Sequence, residues 1–523
     1  MSFIKLPKKE SLKTLANLAL YLSGAALFVL AFPKFNYFPL AWIALAPIMY
    51  AIWNESSAKS AVFKSTFAGF VIYLALLYWM IPMCLNAKTD IYIAILLWGI
   101  LSLYLSIYFS IWSLVVFAFR EKYNSILYGI LICSLWVMLE YLRNYFLTGF
   151  PWALLGYSQW KNYLFIQISE FTGVYGISFY LVFISFILAL MLKQWVVNKK
   201  VNKKLKIILV LLIGLNYLYG MFMVWNNKSI VNDKVKISTV ILQGNIDQYK
   251  KFDNNFKKSI ERRYSDLTMQ SLAFKPDLIV WPETSYPGIY PDDLETLGWL
   301  KKVVRNTNAH HMIGVISRQK KSYYNSVILV DQSGEQKRIY NKNHLVLFGE
   351  VFPFKKFVAR FIPTANSLGG ITKGESIEIF KISKLNTTPN VCFETLFPNE
   401  IREHVIRGGQ VICNLSNDAW YLNTSAPWHL LSHNIFRAVE TRRMVVRAAN
   451  TGISAFIDHN GKIISSLPLF KTGVLHRVIS PIRKITFYTY NGDIFAFLCI
   501  IFAILYILID KRRRIYRAIR YRM

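Results

Sequence analysis

The sequence predicts a polytopic α-helical membrane domain joined to an α/β domain outside the membrane. Hydrophobic residues make up 54% of the chain and charged residues only 17%, and the apolar residues form long uninterrupted runs. One long polar stretch follows seven of these runs. A run of about 20 apolar residues matches the hydrocarbon thickness of a bilayer, where a helix satisfies its own backbone polar groups.

The apolar runs predict about eight membrane spans. They cover 13–33, 37–53, 61–84, 91–119, 125–141, 164–192, 205–225 and 493–509. The first run is long and no small-residue cleavage pattern follows it, so we interpret it as an uncleaved span. The predicted domains are a membrane domain of seven spans (1–225), an extramembranous domain (226–492), and the last span with a basic tail (493–523).

Basic residues near span ends predict the orientation. They concentrate in the N-terminal segment, in the loop with Arg120 and Lys122, in the loop over 193–206 and in the tail over 511–522. With eight spans these segments share one side, which the positive-inside rule assigns to the cytoplasm. The net charge of +32 then indicates anionic lipid headgroups as partner. A nucleic acid is not expected, because no basic stripe interleaves with aromatic residues outside the membrane zone.

After residue 226 the hydrophobic pattern changes to short β-branched runs between polar, helix-compatible stretches, which predicts an α/β sheet domain. The predicted strands cover 235–242, 278–281, 312–317, 326–330, 377–382, 390–392, 410–415, 453–457 and 462–466. The predicted helices cover 256–274, 294–307, 399–407 and 427–446.

Three reactive side chains, Glu283, Lys342 and Cys392, follow strand-like runs, where chemistry gathers in α/β sheets. A thiol is a good nucleophile only as thiolate, so it needs a base, and the oxyanion of acyl transfer needs a cation or an N–H donor. A carboxylate, an ammonium and a thiol are therefore sufficient for acyl transfer. Taken singly, none of the three indicates catalysis, because packing explains a lone cysteine at a strand end and a solvated loop explains Lys342.

The segments around these residues resemble the three signature regions of the nitrilase superfamily, in the order Glu, Lys, Cys: VWPE (280–283), YNKNHLVLFGEVFP (340–353) and VCFE (391–394). Four further segments, ILQGNID (241–247), YYNS (323–326), NLSNDAWY (414–421) and EYLRNYFLTGFPWALLGYSQ (140–159), extend the resemblance to its membrane-embedded branch, the apolipoprotein N-acyltransferase family. The resemblance covers nearly the whole chain. It implies a nitrilase-like αββα sandwich on the periplasmic side of a bacterial inner membrane, with both termini in the cytoplasm.

By this resemblance Cys392 is the nucleophile, Glu283 the general base and acid, and Lys342 the stabiliser of the oxyanion. The same resemblance implies that Glu350 orients Lys342 and that Glu394 supports the surroundings of the cysteine. The sequence departs from the family pattern at Phe393, where the pattern has tyrosine, and at Phe252, where it has tryptophan. The backbone N–H of Phe393 survives the first change.

The implied reaction takes an acyl chain from a phospholipid, such as phosphatidylethanolamine, onto Cys392 as a thioester. The α-amino group of diacylglyceryl-cysteine in a lipoprotein then accepts the chain. We expect no cofactor and a monomer. A membrane-tethered amidase with the same three residues is the alternative enzyme, and a non-catalytic lipid or protein transporter with a degenerate enzyme domain is the alternative outside enzymes.

Two residue sets compete with this site. Cys413 is a second candidate nucleophile or a disulfide partner of Cys392, but its apolar strand QVICNL favours packing. His429 and His433 share a helix face at the spacing of a zinc pair, yet the acidic residue of HExxH is missing, so no metal is expected.

Apolar loops beside the three residues are candidates for a lid that excludes water. One contains Tyr286 and Tyr290; the other contains Phe352, Phe354, Phe357, Phe361 and Ile362. Packing on the domain's own core explains these side chains equally well. Arg143, at the outer end of the fifth predicted span, pairs either with a lipid phosphate or only anchors its helix at the interface.

Overall fold

The computed structural model describes residues 9–146, 149–231, 234–251, 253–347, 349–351, 360 and 370–520, with side chains between 14 and 513. The helices of the membrane domain are α1 Lys9–Leu30, α2 Leu45–Trp53, α3 Ala58–Leu76, α4 Met80–Asn86, α5 Ile91–Ala118, α6 Ile126–Tyr145, α7 Ser169–Asn198 and α8 Lys203–Asn226. The helices after it are α9 Asn254–Ser271, α10 Leu294–Arg305, α11 Pro398–Ile406, α12 Ala426–Thr441, α13 Phe487–Asn491 and α14 Ile494–Arg520.

Each of the eight apolar runs contains helix, and within the described residues six helices are long and apolar enough to cross a membrane. These six are Ala58–Leu76, Ile91–Ala118, Ile126–Tyr145, Phe165–Asn198, Lys203–Ile230 and Ile494–Arg513. The first two runs form shorter apolar helices, Thr14–Leu30 and Phe38–Trp53. The polytopic helical domain is therefore confirmed, whereas the count of eight spans stays a prediction.

Helix α5 shows why these helices need a lipid environment. Large apolar side chains recur every three or four residues along one face and remain exposed; they are Leu96, Ile100, Leu103, Ile107, Ile111 and Leu114. No polar residue interrupts this face, and water would solvate it poorly. The exposed stripe therefore fits contact with lipid chains.

The α/β domain contains two sheets. Its strands are β1 Ile237–Gln243, β2 Leu278–Val280, β3 Ile289–Tyr290, β4 His310–Gln319, β5 Ser322–Val330, β6 Gln336–Asn341, β7 Phe380–Ile382, β8 Leu385–Val391, β9 Val411–Ser416, β10 Met444–Ala449, β11 Ser454–Ile457, β12 Ile463–Leu467 and β13 Gly473–Ile479. The first sheet has the order β13-β1-β2-β4-β5-β6, with β3 paired to β4, and the second has the order β12-β11-β10-β9-β8-β7.

The two sheets pack face to face between helices. The buried layer between them includes Ile241 and Val280 from the first sheet and Cys413 and Val446 from the second. Helices α9 and α10 cover the outer face of the first sheet, where Trp281 stacks on Tyr264 at 4.9 Å between ring centroids. Helix α12 covers the outer face of the second sheet. The αββα sandwich is confirmed.

Helix α12 also packs against the membrane helices, so the two domains share one core. Phe436 meets the ring of Tyr157 edge-on at 5.0 Å, and the Arg442 Nε atom, one residue after the helix, lies 2.6 Å from the Glu170 carboxylate. One face of the sandwich is thus fixed to the membrane domain.

Several element bounds differ from the sequence prediction. The predicted helix 427–446 ends at Thr441, because Arg442 adopts a left-handed conformation (φ 50°) and Met444 begins β10. Strand β8 begins at Leu385 instead of 390, although its sequence LNTTPNV contains residues typical of turns. Strands β3, β10 and β13 are absent from the predicted set, whereas the strand-like run before Lys342 forms β6.

Candidate active site

Glu283 lies on a tight turn after β2, a strand in the middle of the first sheet. Thr284 follows in the left-handed region (φ 48°), which is strained for a β-branched residue. Gly314 of β4 lies directly behind the turn: a Cβ atom there would be 2.4 Å from the Pro282 carbonyl oxygen and 2.5 Å from the Glu283 Cα. The missing side chain at Gly314 therefore makes room for the turn that carries Glu283.

Lys342 follows β6 directly, and its backbone N–H donates to the Asn325 carbonyl on the neighbouring strand at 2.9 Å. Its side chain is only 2% exposed. The ammonium lies 2.8 Å from Glu350 Oε2 and 3.8 Å from Glu283 Oε1. Glu350 thus holds Lys342 directly, which is the arrangement the family resemblance implies.

Asn325 connects the two carboxylates. Its Nδ2 atom donates to Glu283 Oε1 at 2.7 Å and to Glu350 Oε1 at 2.8 Å. The motif YYNS contains this residue, but no role was predicted for it. Because the amide holds both carboxylates beside Lys342, the four side chains form one network.

Cys392 follows β8 and begins a short 3₁₀ helix, Cys392–Leu396, in the left-handed region (φ 49°). This conformation turns the chain sharply at Cys392, and the residue is 8% exposed. Glu394 fixes the turn, since its Oε2 atom accepts the Val391 N–H at 2.6 Å and its Oε1 atom accepts the Asn343 N–H at 2.6 Å. Glu394 therefore connects the turn at Cys392 with the segment that follows Lys342.

Electrostatics join the three predicted residues. Burial, and then the Glu283 carboxylate, raise the pKa of the Cys392 thiol to about 12, while the Lys342 ammonium opposes the rise. Burial also raises the pKa of Glu283, again against Lys342. Burial alone would lower the pKa of Lys342, but Glu350 and Glu283 outweigh it and raise that pKa above the ordinary value. The structure thus brings Glu283, Lys342 and Cys392 within electrostatic reach of one another.

Burial would raise the pKa of Glu350, but the Lys342 ammonium outweighs it and holds that pKa below its ordinary value. Glu350 is therefore the permanently charged partner of Lys342. Glu283, whose pKa is raised, is the carboxyl of the two that more readily holds a proton.

Lys251 is a site residue that the sequence analysis missed. It is 5% exposed, and its ammonium donates to the Glu283 carbonyl oxygen and to Thr284 Oγ1, both at 3.0 Å. The motif KKFD contains it, but that motif was considered only for Phe252, which lies outside the described residues. Because Lys250 and Lys251 are adjacent, hydrophobic periodicity does not indicate which of the two is buried.

A buried polar network supports Cys392 from the second sheet. Asn414 Nδ2 lies 3.4 Å from the Cys392 carbonyl oxygen, and Arg447 donates to Asp418 Oδ2 at 2.8 Å. Ser416 donates to Asp418 Oδ1 at 2.6 Å. Asn414, Ser416 and Asp418 belong to the motif NLSNDAWY, so this motif supplies part of the structure that supports Cys392.

The site adjoins the membrane domain through aromatic side chains. Tyr421 ends the short 3₁₀ helix Asp418–Tyr421 after β9, which pairs in parallel with β8, the strand before Cys392. Burial, and then the charges at Cys392 and Asp418, raise the pKa of its hydroxyl. The Tyr421 ring meets Trp79 edge-on at 5.3 Å, and Trp79 packs on Trp152 at 4.7 Å. Residues between α3 and α4, and after α6, therefore form an apolar wall beside the site.

The first candidate lid loop is not a lid. Tyr286 is 1% exposed, donates to the Asp293 carbonyl and packs on Tyr290 at 5.8 Å. Pairing of β3 with β4 fixes this segment in the domain's own core, so the lid interpretation of Tyr286 is wrong. The second loop, with Phe352, Phe354, Phe357, Phe361 and Ile362, lies outside the described residues, and its lid role stays a prediction.

Arg143 does not reach the lipid surface in this arrangement. It is 3% exposed, contacts the Tyr73 hydroxyl and donates to the Trp152 carbonyl at 3.1 Å. Together with Glu140 it lines a cavity of about 20 Å³ inside the helix bundle. Arg143 therefore packs inside the helix bundle, and this position fits neither pairing with a lipid phosphate nor anchoring at the membrane interface.

Cys413, His429 and His433, the residues that compete with this site, are all buried. Cys413 is fully buried between the sheets, and both it and Cys392 are free thiols. His429 and His433 pack on the rings of Trp152 and Tyr157 at 5.6 and 3.8 Å, respectively. Among the described residues, no group of three or more His, Cys, Asp or Glu side chains is arranged to hold a metal ion.

Comparison with known proteins gives three findings. A family model of the apolipoprotein N-acyltransferase N-terminal domain matches residues 24–187, and one of carbon-nitrogen hydrolase matches residues 242–481. Apolipoprotein N-acyltransferase from Geobacter metallireducens is 32% identical and covers 95% of each chain; the one from Haemophilus influenzae is 30% identical and covers 89% of each. A solved CN-hydrolase superfamily protein from Xanthomonas campestris is 18% identical, covers 47% of this chain and 91% of that one, and has a TM-score of 0.37.

Proposed function

Because this chain belongs to the apolipoprotein N-acyltransferase family, we propose that it transfers a phospholipid acyl chain to the N-terminal amine of a lipoprotein through a thioester on Cys392. The observation that carries the proposal is the convergence of Glu283, Lys342 and Cys392 beside an apolar wall of the membrane domain. Both substrates are lipid-anchored, so a site next to that wall meets them at high local concentration.

In the first half-reaction, the Glu283 carboxylate takes the proton of the Cys392 thiol, and the thiolate attacks the ester carbonyl of the phospholipid. The negative charge moves to the carbonyl oxygen, where the Lys342 ammonium and the backbone N–H of Phe393 stabilise it. Collapse breaks the ester C–O bond. The leaving lysophospholipid oxygen takes the proton from Glu283, and the acyl chain stays on sulfur.

In the second half-reaction, the amine of diacylglyceryl-cysteine attacks the thioester carbonyl and Glu283 takes an amine proton. Collapse breaks the C–S bond and forms the amide. The sulfur leaves as thiolate and recovers the proton from Glu283. Each step conserves the single exchangeable proton, so no cofactor is needed.

We propose that the multi-pass chain lies in the bacterial inner membrane with the sandwich on the periplasmic side. The basic loops lie at one end of the bundle: Lys122 contacts Asp510, and the Lys193 ammonium lies 3.8 Å from the Tyr123 ring centroid. Helix α5 runs from near Asn86, which donates to the carbonyls of Ala419 and Trp420 in the α/β domain, to this basic end. The basic end therefore fits the cytoplasmic side of the positive-inside rule. A monomer with phosphatidylethanolamine as donor completes the proposal.

The test is to incubate the purified protein in nanodiscs with acyl-labelled phospholipid and to examine the Cys392 peptide by mass spectrometry. We expect an acyl adduct on Cys392 that a diacylated lipopeptide discharges as triacylated peptide. Cys413→Ala, which removes a sulfur from the core between the sheets, is the matched control and should keep the adduct. Release of free fatty acid without acylated peptide would make the protein a hydrolase, and full transfer by Cys392→Ser would overturn the thioester.

A further inference from the structure

The buried ammonium of Lys251 has an unusual set of contacts. It donates to two uncharged oxygens, the Glu283 carbonyl and Thr284 Oγ1. None of the ion pairs between residues that the structure describes includes Lys251. A buried charge without a carboxylate in contact is costly unless other groups nearby compensate for it. The nearby negative groups are Glu283 and Cys392, whose charges both favour the protonated form of Lys251.

The charges in the site require a second cation. Lys342 lies closer to Glu350 than to Glu283, so the Glu350 carboxylate compensates for most of its charge. A second negative charge remains, on Glu283 before proton transfer and on the Cys392 sulfur after it. Lys342 cannot balance both this charge and that of Glu350.

We propose that Lys251 is the counter-ion for the negative charge that moves between Glu283 and Cys392, and that it positions the turn carrying Glu283. This inference rests on the proposed thioester route. Its positioning part follows from its two hydrogen bonds, which hold the Glu283 carbonyl and the strained Thr284. Its electrostatic part follows from the burial of its ammonium against the Glu283 turn, where the charges of Glu283 and Cys392 both favour its protonated form.

The titration of Lys251 fits this role. Burial lowers the pKa of Lys251 to about 7, although the charges of Glu283 and Cys392 oppose this decrease. Near neutral pH the side chain is therefore divided between its charged and neutral forms. Only the charged form of Lys251 stabilises the Cys392 thiolate. This stabilisation is therefore lost as the pH rises through 7.

The test is the rate at which iodoacetamide alkylates Cys392, followed on its peptide by mass spectrometry without any lipid substrate. Lys251→Met should slow alkylation about 10-fold or more at pH 7. Lys250→Met, at the exposed neighbour, is the matched control and should leave the rate unchanged. An unchanged rate in a folded Lys251→Met protein would overturn the counter-ion.

A second variant decides the case even if Lys251→Met does not fold. Lys251→Arg keeps its charge at every accessible pH. The ratio of its alkylation rate to that of the wild type should therefore rise as the pH passes 7 and the wild-type lysine loses its proton. A Lys251→Arg rate about 10-fold below that of the wild type at pH 6, where both side chains carry a charge, would overturn the proposal. Because the assay needs no phospholipid, its failure leaves the thioester route intact, whereas absence of an acyl adduct in the wild type removes the route itself.

Discussion

The Tyr340 hydroxyl donates to Glu394 Oε1 at 2.7 Å, and this contact joins the first sheet to the second at the reactive edge. Tyr340 belongs to β6, two residues before Lys342, whereas Glu394 lies two residues after Cys392. Burial, and then Glu400, raise the pKa of Glu394 to about 7, so this carboxyl is close to half-protonated at neutral pH. Glu394 is therefore one carboxyl group that links the segment of Lys342 to the turn of Cys392.

Glu394→Ala should reduce the rate of acyl-adduct formation at least 100-fold, because it removes the acceptor of the Val391 and Asn343 N–H groups and leaves them buried. Tyr340→Phe removes one hydrogen bond of about 1 kcal/mol and should reduce the rate only several-fold. The measurement is the adduct rate in nanodiscs. Equal effects of the two substitutions would contradict the role of Glu394 as the link between both loops.

Glu350→Gln should shift the pH dependence of adduct formation. The base must be ionised, and burial raises the pKa of Glu283, so the wild-type rate should fall on acidification with a midpoint above 4.5, the ordinary value for glutamate. The Glu350 charge also raises that pKa, and its removal frees Lys342 to approach Glu283. The midpoint should therefore move to lower pH in Glu350→Gln.

The maximal rate of Glu350→Gln should fall about 10- to 100-fold, because Lys342 loses the contact that orients it. Asp331→Asn, which breaks an exposed pair with Lys337, is the control for removal of a carboxylate and should change neither quantity. A midpoint that stays in place or moves to higher pH would contradict the network of Glu283, Lys342 and Glu350.

The sequence predicts the architecture well because hydrophobic periodicity reports burial directly. It identifies Glu283, Lys342 and Cys392 through their motifs, yet it cannot bring them together, since residues about 50 apart meet only after both sheets form. Lys251 escapes prediction because burial of one lysine in KKFD depends on the turn after β2. Tyr286 is misassigned because an aromatic residue in a Pro-rich loop has the same local sequence in a lid and in a core.

Gly314→Ala should lower activity through backbone displacement. The new methyl group would overlap the Pro282 carbonyl oxygen and the Glu283 Cα, which moves the base away from the thiol. We expect at least a 100-fold slower adduct formation and a melting temperature several degrees lower. Gly298→Ala in the exposed face of α10 meets no atom within 4 Å and should leave activity unchanged while stabilising the helix by about 0.5–1 kcal/mol. Activity equal to the wild type in Gly314→Ala would show that the turn is not constrained from this side.

Glu170→Gln should weaken the attachment of the sandwich to the membrane domain. The Glu170 carboxylate lies 2.6 Å from Arg442 Nε, and Arg442 is fully buried, so the substitution leaves a buried guanidinium without its anion. Breaking such a pair costs about 3–5 kcal/mol. Lys301 and Glu335 form an exposed pair at 3.0 Å, and Glu335→Gln should cost less than about 1 kcal/mol. Thermal unfolding in detergent measures the melting temperature of both variants. Because α12 covers one face of the sandwich, Glu170→Gln should lose adduct formation together with its lower melting temperature. A melting temperature equal to that of Glu335→Gln would show that packing alone joins the two domains.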